Sequence, residues 1–166
     1  MASKSFDCRE FIPKLTWNYW QDRSGNGDLG MRFIYQQIPI VAQFLRDSYN
    51  KSMIINNWHL NLPIEQTFDG RVLRLSDDRA YTLYSAHSRA MAMDFNIVGL
   101  SSQEVYLDIL YKFSSDLLKL GVTCMEQNTN GWTHIGFEDC SKWGFEKQSG
   151  IYLIPLPQRQ TMGVVK

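Results

Sequence analysis

The segment from residue 101 to residue 121 carries a full set of signals for one long amphipathic helix. Ser101 and Glu104 form a capping-box pattern at its start, and Gly121 provides a stop at its end. Apolar side chains recur between them every three or four positions, at Val105, Ile109, Leu110, Phe113, Leu117 and Leu120. This spacing predicts a helix over 102–120 that packs one face against a core.

Strand patterns lie on both sides of this helix. Residues 90–97 alternate between apolar and small or polar side chains, which predicts a strand with Asp94 on its less apolar face. After the helix, residues 122–126 and 132–137 flank the turn-forming sequence Gln-Asn-Thr-Asn-Gly at 127–131. That arrangement predicts a hairpin with a five-residue loop.

The rest of the chain adds shorter elements. A helix is predicted at roughly 39–49, and a short β-type run occupies 52–56. Strands mixed with separate helices indicate an α+β fold, with a small antiparallel sheet flanked by helices. The chain has 166 residues and contains no repeat or linker, so a single domain over 1–166 is expected.

Charge and hydropathy argue against several classes of function. Lys and Arg total 17, as do Asp and Glu, so the formal net charge is zero, whereas binders of nucleic acid or anionic membranes rely on basic patches. No run approaches the roughly 20 apolar residues of a membrane span. Residues 1–6 lack the apolar stretch of a secretory signal. The sequence therefore predicts that the protein binds neither nucleic acid nor membranes. It also predicts that the protein stays in the cytoplasm unless another factor releases it from the cell.

The three cysteines are Cys8, Cys124 and Cys140. Their number is odd and their spacing lacks metal-type pairing, so reduced thiols are expected. Cys124 is interpreted as a small buried residue, because buried cysteine generally behaves as a hydrophobe.

Two histidines and one aspartate form the most informative set of polar residues. His87 precedes Asp94 by seven positions, and His134 follows Asp94 by forty. Two imidazoles and one carboxylate make a three-ligand set that leaves a fourth zinc position open for water, as in a catalytic rather than a structural site. The sequence therefore predicts one Zn²⁺ per chain and a metal-dependent hydrolase.

Hydrolysis also requires a base, and the predicted hairpin offers Glu126. A five-residue loop places Glu126 opposite Trp132 and Cys124 opposite His134. Glu126 and His134 then project from the same face as diagonal neighbours. A four-residue loop would put Glu126 on the other face, so the assignment depends on the turn.

These residues resemble the peptidase M15 family, which includes zinc D-Ala-D-Ala carboxypeptidases and phage L-alanyl-D-glutamate endopeptidases. The family pattern is Ser-x-His, six residues, Asp, and a later Trp-x-His. It matches Ser85-Ala86-His87, Asp94 and Trp132-Thr133-His134. The runs Phe44-Leu45-Arg46 and Ile54-Ile55-Asn56-Asn57-Trp58 also resemble phage-encoded members.

The resemblance covers most of the chain and implies a hedgehog/DD-peptidase-like fold. It implies cleavage of an amide bond in the peptide stem of peptidoglycan, with Glu126 as general base and then acid. Arg71 or Arg74 is expected to bind a substrate carboxylate, and the choice between them stays open. Ser85 and Trp132, which accompany the ligands in the motif, are further candidates for substrate binding.

The resemblance also implies where the protein acts and on what. A phage-encoded member is expected in the host cytoplasm, reaching the cell wall after release, or as part of the virion. The expected partners are therefore the peptidoglycan stem peptide and, for a virion-associated form, other phage virion proteins.

Three departures from the family pattern leave alternatives open. Many members have Asp at the position of Gly136 and the catalytic acid at the position of Gly131. The usual glycine before the Ala-x-Asp is Ala90, which is harmless unless the backbone there needs positive φ. One alternative is a catalytically inactive homologue that serves as a virion structural or binding component. Another is a peptidase for a different substrate, such as a D-amino-acid dipeptide.

Overall fold

The computed structural model of the chain describes residues 6–12, 14, 17, 34–60, 62–63, 72, 86–127 and 129–155. Its longer helical segments are α1 (Gln37–Tyr49), α2 (Ser102–Asp108) and α3 (Ser114–Lys119), with a π-helical segment at Ile109–Phe113. Its strands are β1 (Met53–Ile54), β2 (Ala92–Ile97), β3 (Cys124–Glu126), β4 (Thr133–Gly136), β5 (Glu146–Gln148) and β6 (Ile151–Ile154). Short 3-10 turns lie at Cys8–Glu10, Trp58–Leu60, Ala86–Arg89 and Ser141–Trp143. Within these ranges, no helix combines the length and the apolar character needed to cross a bilayer.

The strands form one sheet of six, in the order β1-β2-β4-β3-β6-β5. Neighbouring strands are antiparallel except for β3 and β6, which are parallel. Helices and a mostly antiparallel sheet confirm the α+β class. The central strands β2, β4 and β3 come from the segments predicted to be a strand and a hairpin, on either side of the predicted helix.

The predicted helix over 102–120 is present, with its expected start and an unexpected interior. The Ser101 side chain accepts a hydrogen bond from the Glu104 backbone N–H at 3.2 Å, and the Glu104 carboxylate accepts one from the Ser101 N–H at 2.7 Å. Residues 109–113 are wound as a π-helix instead of a regular α-helix. Ile109 and Leu110 in this segment are both buried in the core.

The hydrophobic core lies between one face of the sheet and the helices. Met93 and Phe95 of β2, Met125 of β3 and Ile135 of β4 point into it, as the predicted alternation requires. Helical residues complete the core: Ile38, Val41, Ala42, Leu45, Val105, Ile109, Leu110 and Leu117. The even-numbered residues of β2, β3 and β4 lie on the opposite face, which carries the candidate site.

Candidate metal centre

His87, Asp94 and His134 come together on the face of the sheet opposite the core. Asp94 on β2 is the direct partner of His134 on β4, so the antiparallel register holds their side chains adjacent. His87 reaches them from the 3-10 turn Ala86–Arg89, immediately before β2. Both histidines are 5% exposed, and the Asp94 side chain is 14% exposed. The fold thus gathers the three predicted ligands from two strands and a turn.

The ligand atoms of this group lie close to the spacing that a tetrahedral metal site requires. His134 Nδ1 lies 2.8 Å from Asp94 Oδ1 and 3.2 Å from His87 Nε2, and His87 Nε2 lies 3.4 Å from Asp94 Oδ1. Zinc bonds of about 2.0–2.1 Å in tetrahedral geometry imply ligand atoms about 3.3 Å apart. The group can therefore hold a metal ion through these three atoms with little rearrangement.

Ala90 turns the chain from His87 into β2 in a left-handed backbone conformation, with φ of 53°. The Ala90 N–H donates to the His87 carbonyl at 3.1 Å, and the Met91 N–H donates to the Ala86 carbonyl at 2.9 Å. A left-handed alanine costs roughly 1–2 kcal/mol, which a glycine would avoid. The position thus does need positive φ, and the chain accepts this strain with alanine in place of glycine.

The electrostatics of Asp94 and His134 are coupled. Burial by itself raises the pKa of Asp94, but the hydrogen bonds to His134 and His87 outweigh it and hold that pKa well below its usual range. Burial by itself lowers the pKa of His134, but the hydrogen bond to Asp94 and its charge outweigh it and raise that pKa. The carboxylate therefore stabilises a positive charge at this place, which a proton or a metal ion can supply.

Glu126 lies on the same face as His134, as predicted, but the predicted register is wrong. Cys124 pairs with Gly136 and not with His134. Continuing this register by two residues places Glu126 opposite His134 and not opposite Trp132. The shift of two residues preserves the face because side chains alternate along a strand. Glu126 also contributes to the raised pKa of His134, which indicates that the two are close.

The connection between β3 and β4 explains the different register. Seven residues, 127–133, separate the paired positions Glu126 and His134, two more than the five residues of the predicted loop 127–131. The Ser102 hydroxyl at the start of α2 donates to the Thr129 carbonyl at 2.9 Å. This contact joins the loop to α2, and no pattern within the hairpin sequence predicts it.

His134 therefore sits in the middle of a polar row that crosses three strands. Asp94 flanks it on β2, and Glu126 flanks it on β3. The next row on the same face contains only small side chains, Ala92, Gly136 and Cys124. The polar row places one carboxylate among the candidate metal ligands and a second carboxylate beside them.

Cys124, from the row of small side chains, belongs to a second polar cluster that was not predicted from the sequence. Cys124, Glu138 and Cys140 each offer a ligand atom, and these atoms lie within 4.8 Å of one another. Burial raises the pKa of both thiols. The spacing along the chain resembles no cysteine motif, so only the β3–β4 pairing and the turn after β4 bring the three together.

The predicted substrate-binding residues are placed only in part. Trp132 is half-buried, two positions before His134. Arg71, Arg74 and Ser85 lie outside the residues that the structure describes.

The chain was also compared with known proteins. Neither models of protein families, nor curated proteins, nor solved structures gave a match.

Proposed function

We propose that the chain is a phage-encoded, zinc-dependent peptidase, which cleaves an amide bond in the peptide stem of bacterial peptidoglycan. The observation that carries the proposal is the spacing of His87 Nε2, Asp94 Oδ1 and His134 Nδ1, which suits a tetrahedral ion. The hedgehog/DD-peptidase-like fold that the resemblance implies is part of the same proposal.

The donor set favours zinc over other common metals. Two imidazole nitrogens and one carboxylate oxygen suit zinc, whereas Mg²⁺ and Ca²⁺ prefer oxygen ligands throughout. Three protein ligands leave a position open, as catalytic zinc sites do. A bound zinc ion would supply two things here, acidification of water and polarisation of the scissile carbonyl group.

Glu126 is the group proposed to move protons. Its half-buried carboxylate lies across the strand pair from His134, so it faces the region next to the candidate ligands. A carboxylate in that place can take a proton from the attacking water and deliver it to the leaving amine nitrogen. Asp94 cannot take this role if it is a ligand, because its Oδ1 is directed at both histidines.

The substrate class comes from the sequence resemblance and not from a contact in the structure. Ser85 and Trp132 accompany the ligands in the motif, and Arg71 or Arg74 is proposed to bind a carboxylate of the stem peptide. Peptidoglycan stems contain free carboxylates, which an arginine binds well through its paired N–H donors.

The test combines metal dependence with cleavage of purified peptidoglycan. We expect the protein to release peptide fragments, to lose this activity after chelation, and to regain it when zinc is added. A His134→Ala variant should stay inactive at the same zinc concentration. Peptidoglycan left intact by zinc-loaded parent protein would contradict the proposal.

A catalytically inactive homologue that serves in the virion is the second candidate. Gly131 favours it, because many members of the family that the chain resembles carry the catalytic acid at this position, whereas this glycine is exposed, with φ of 90°. Binding of peptidoglycan or a virion protein without any cleavage, by zinc-loaded protein, would support this candidate. Cleavage of a D-Ala-D-Ala dipeptide but not of peptidoglycan would instead indicate a peptidase for a different substrate, the other alternative that the sequence leaves open.

A further inference from the structure

A second group of potential ligands is buried beside the first. Cys124 on β3 and Cys140, just before the 3-10 turn Ser141–Trp143, are both 0% exposed, and Glu138 is 7% exposed. One atom from each lies within 4.8 Å of the other two. The described residues contain two groups whose potential ligand atoms lie this close together, and this is the second. It shares no residue with the group of His87, Asp94 and His134.

The backbone holds the cluster in place through Thr123. The Thr123 hydroxyl donates to the Glu138 carbonyl at 2.6 Å, and the Thr123 N–H donates to the Gly136 carbonyl at 2.9 Å. These bonds hold the segment after β4 against the start of β3. They bring Glu138 and Cys140 over Cys124 although fourteen or more residues separate them in the sequence.

We propose that Cys124, Glu138 and Cys140 form a second metal site, for a thiophilic divalent ion such as zinc. Two sulfur donors and one carboxylate oxygen are a set that zinc accepts and that Mg²⁺ and Ca²⁺ do not prefer. The proposal does not rest on peptidase activity, because none of its three ligands belongs to the proposed catalytic site.

The charges of the cluster also suit a divalent ion. Two thiolates and the Glu138 carboxylate carry three negative charges, and Arg89 forms an ion pair with Glu138. The remaining two negative charges match one divalent cation. Coordination deprotonates a thiol outright, so the thiols need not be ionised before the ion binds.

Gly136 supplies a structural observation that is independent of charge. A Cβ at this position would lie 2.7 Å from Cys124 Sγ, so the glycine leaves room for the sulfur. The same point is 4.0 Å from His134 Nε2, so a residue of each cluster lies close to Gly136. An ion at the second cluster would tie β3 to the segment following β4, and so stabilise the strand that carries His134.

Cobalt provides a direct test, because a thiolate bound to Co²⁺ gives an intense near-ultraviolet charge-transfer band. The site of His87, Asp94 and His134 has no sulfur and cannot produce that band. The reduced, metal-free parent protein would be titrated with Co²⁺ alongside Cys124→Ser, Cys140→Ser, Glu138→Gln, His134→Ala and Cys8→Ser variants. Circular dichroism would show which variants remain folded.

We expect the parent to develop the band and to bind about two ions per chain, one at each cluster. Cys124→Ser and Cys140→Ser should each weaken the band and reduce binding to about one ion, and Glu138→Gln should lower the affinity for the ion that produces the band. His134→Ala should retain the band while losing the other ion, which separates failure of this site from failure of the proposed catalytic site. Cys8→Ser is the matched control and should behave as the parent does.

The parent protein alone can overturn the proposal. Saturation with Co²⁺ without a thiolate band, in protein whose thiols are shown to be reduced, would mean that the cluster binds no metal. A Cys124–Cys140 disulfide in the purified protein, with no band after its reduction, would show a redox pair instead. A band lost in the Cys8→Ser variant would also contradict the assignment.

Discussion

Gly136 on β4 pairs with Cys124 on β3 so closely that a Cβ at position 136 would lie 2.7 Å from the cysteine sulfur. The space that a side chain would need is filled by a buried thiol, which belongs to a cluster with Glu138 and Cys140. Residues of two candidate metal centres, Cys124 and His134, therefore lie close to this glycine.

Replacing Gly136 with alanine should destabilise the protein by about 1–3 kcal/mol, as overpacking of a well-packed core usually does. Its φ lies outside the left-handed region, so the loss comes from the contact with Cys124 and not from the backbone. A Cys124→Ala change should recover part of the loss, with a coupling of about 0.5–3 kcal/mol. Urea unfolding of both single variants and the double variant measures this coupling, and strictly additive effects would contradict the contact.

Asp94→Asn should lower the zinc affinity of the first site by at least about 10- to 100-fold, the loss typical of even an outer-shell partner. The amide keeps the shape of the side chain but removes the charge directed at both histidines. Competition with a coloured chelator measures the affinity. Asp116→Asn, on the exposed side of α3, is the matched control and should leave the affinity unchanged.

The metal-free protein should lose stability as the pH rises. Because the pKa of His134 is raised in the folded state, protonated His134 stabilises the fold fully below about pH 6.5. This stabilisation disappears as the pH rises through the folded-state pKa of His134. Because the pKa of Asp94 is depressed in the folded state, ionised Asp94 stabilises the fold above about pH 4. This stabilisation disappears only as the pH falls through the folded-state pKa of Asp94. The pair therefore stabilises the metal-free fold most between these limits.

Zinc should reverse this trend, because it binds neutral imidazoles and competes with protons. Unfolding temperatures measured across pH 4–8, with chelator and with excess zinc, test both expectations. Asp94→Asn should abolish the loss of stability toward high pH in the metal-free protein. A metal-free parent that gains stability relative to this variant between about pH 6.5 and 8 would contradict the coupling of His134 and Asp94.

Glu126→Gln should lower peptidoglycan cleavage by about 10²- to 10⁴-fold, the usual contribution of a general base. Zinc binding should be unchanged, because the three candidate ligand atoms belong to other residues. Glu146→Gln is the matched control, since Glu146 is exposed at the sheet edge on β5. Full activity in the Glu126→Gln variant would exclude this glutamate as the base.

Ser101→Ala should destabilise the protein by about 1 kcal/mol, because the helix loses its N-cap acceptor. The hydrogen bonds between Ser101 and Glu104 are exposed, so the effect should be confined to the helix start. Ser115→Ala, at an exposed position within α3, is the control and should change stability little. Equal effects of the two substitutions, measured by urea unfolding, would contradict the capping role.

Local patterns predicted the elements well because their causes are local. The alternation around Asp94 and the cap at Ser101 depend on neighbours within a few residues, and both are present as expected. The π-helical segment at Ile109–Phe113 was not predicted, because the spacing of apolar residues over 102–120 is the one typical of a regular α-helix.

The sequence by itself determined the α+β class, the buried face of β2 and the candidate ligand set, because side-chain chemistry and periodicity along the chain suffice for these. Tertiary structure alone decided which residues meet. The pairing of β3 with β4 aligns Glu126 with His134, and Ser102 of α2 donates to Thr129 in the loop between these strands. Strand pairing and the turn after β4 assemble Cys124 with Glu138 and Cys140, since contacts between residues far apart in the chain depend on the register of whole strands.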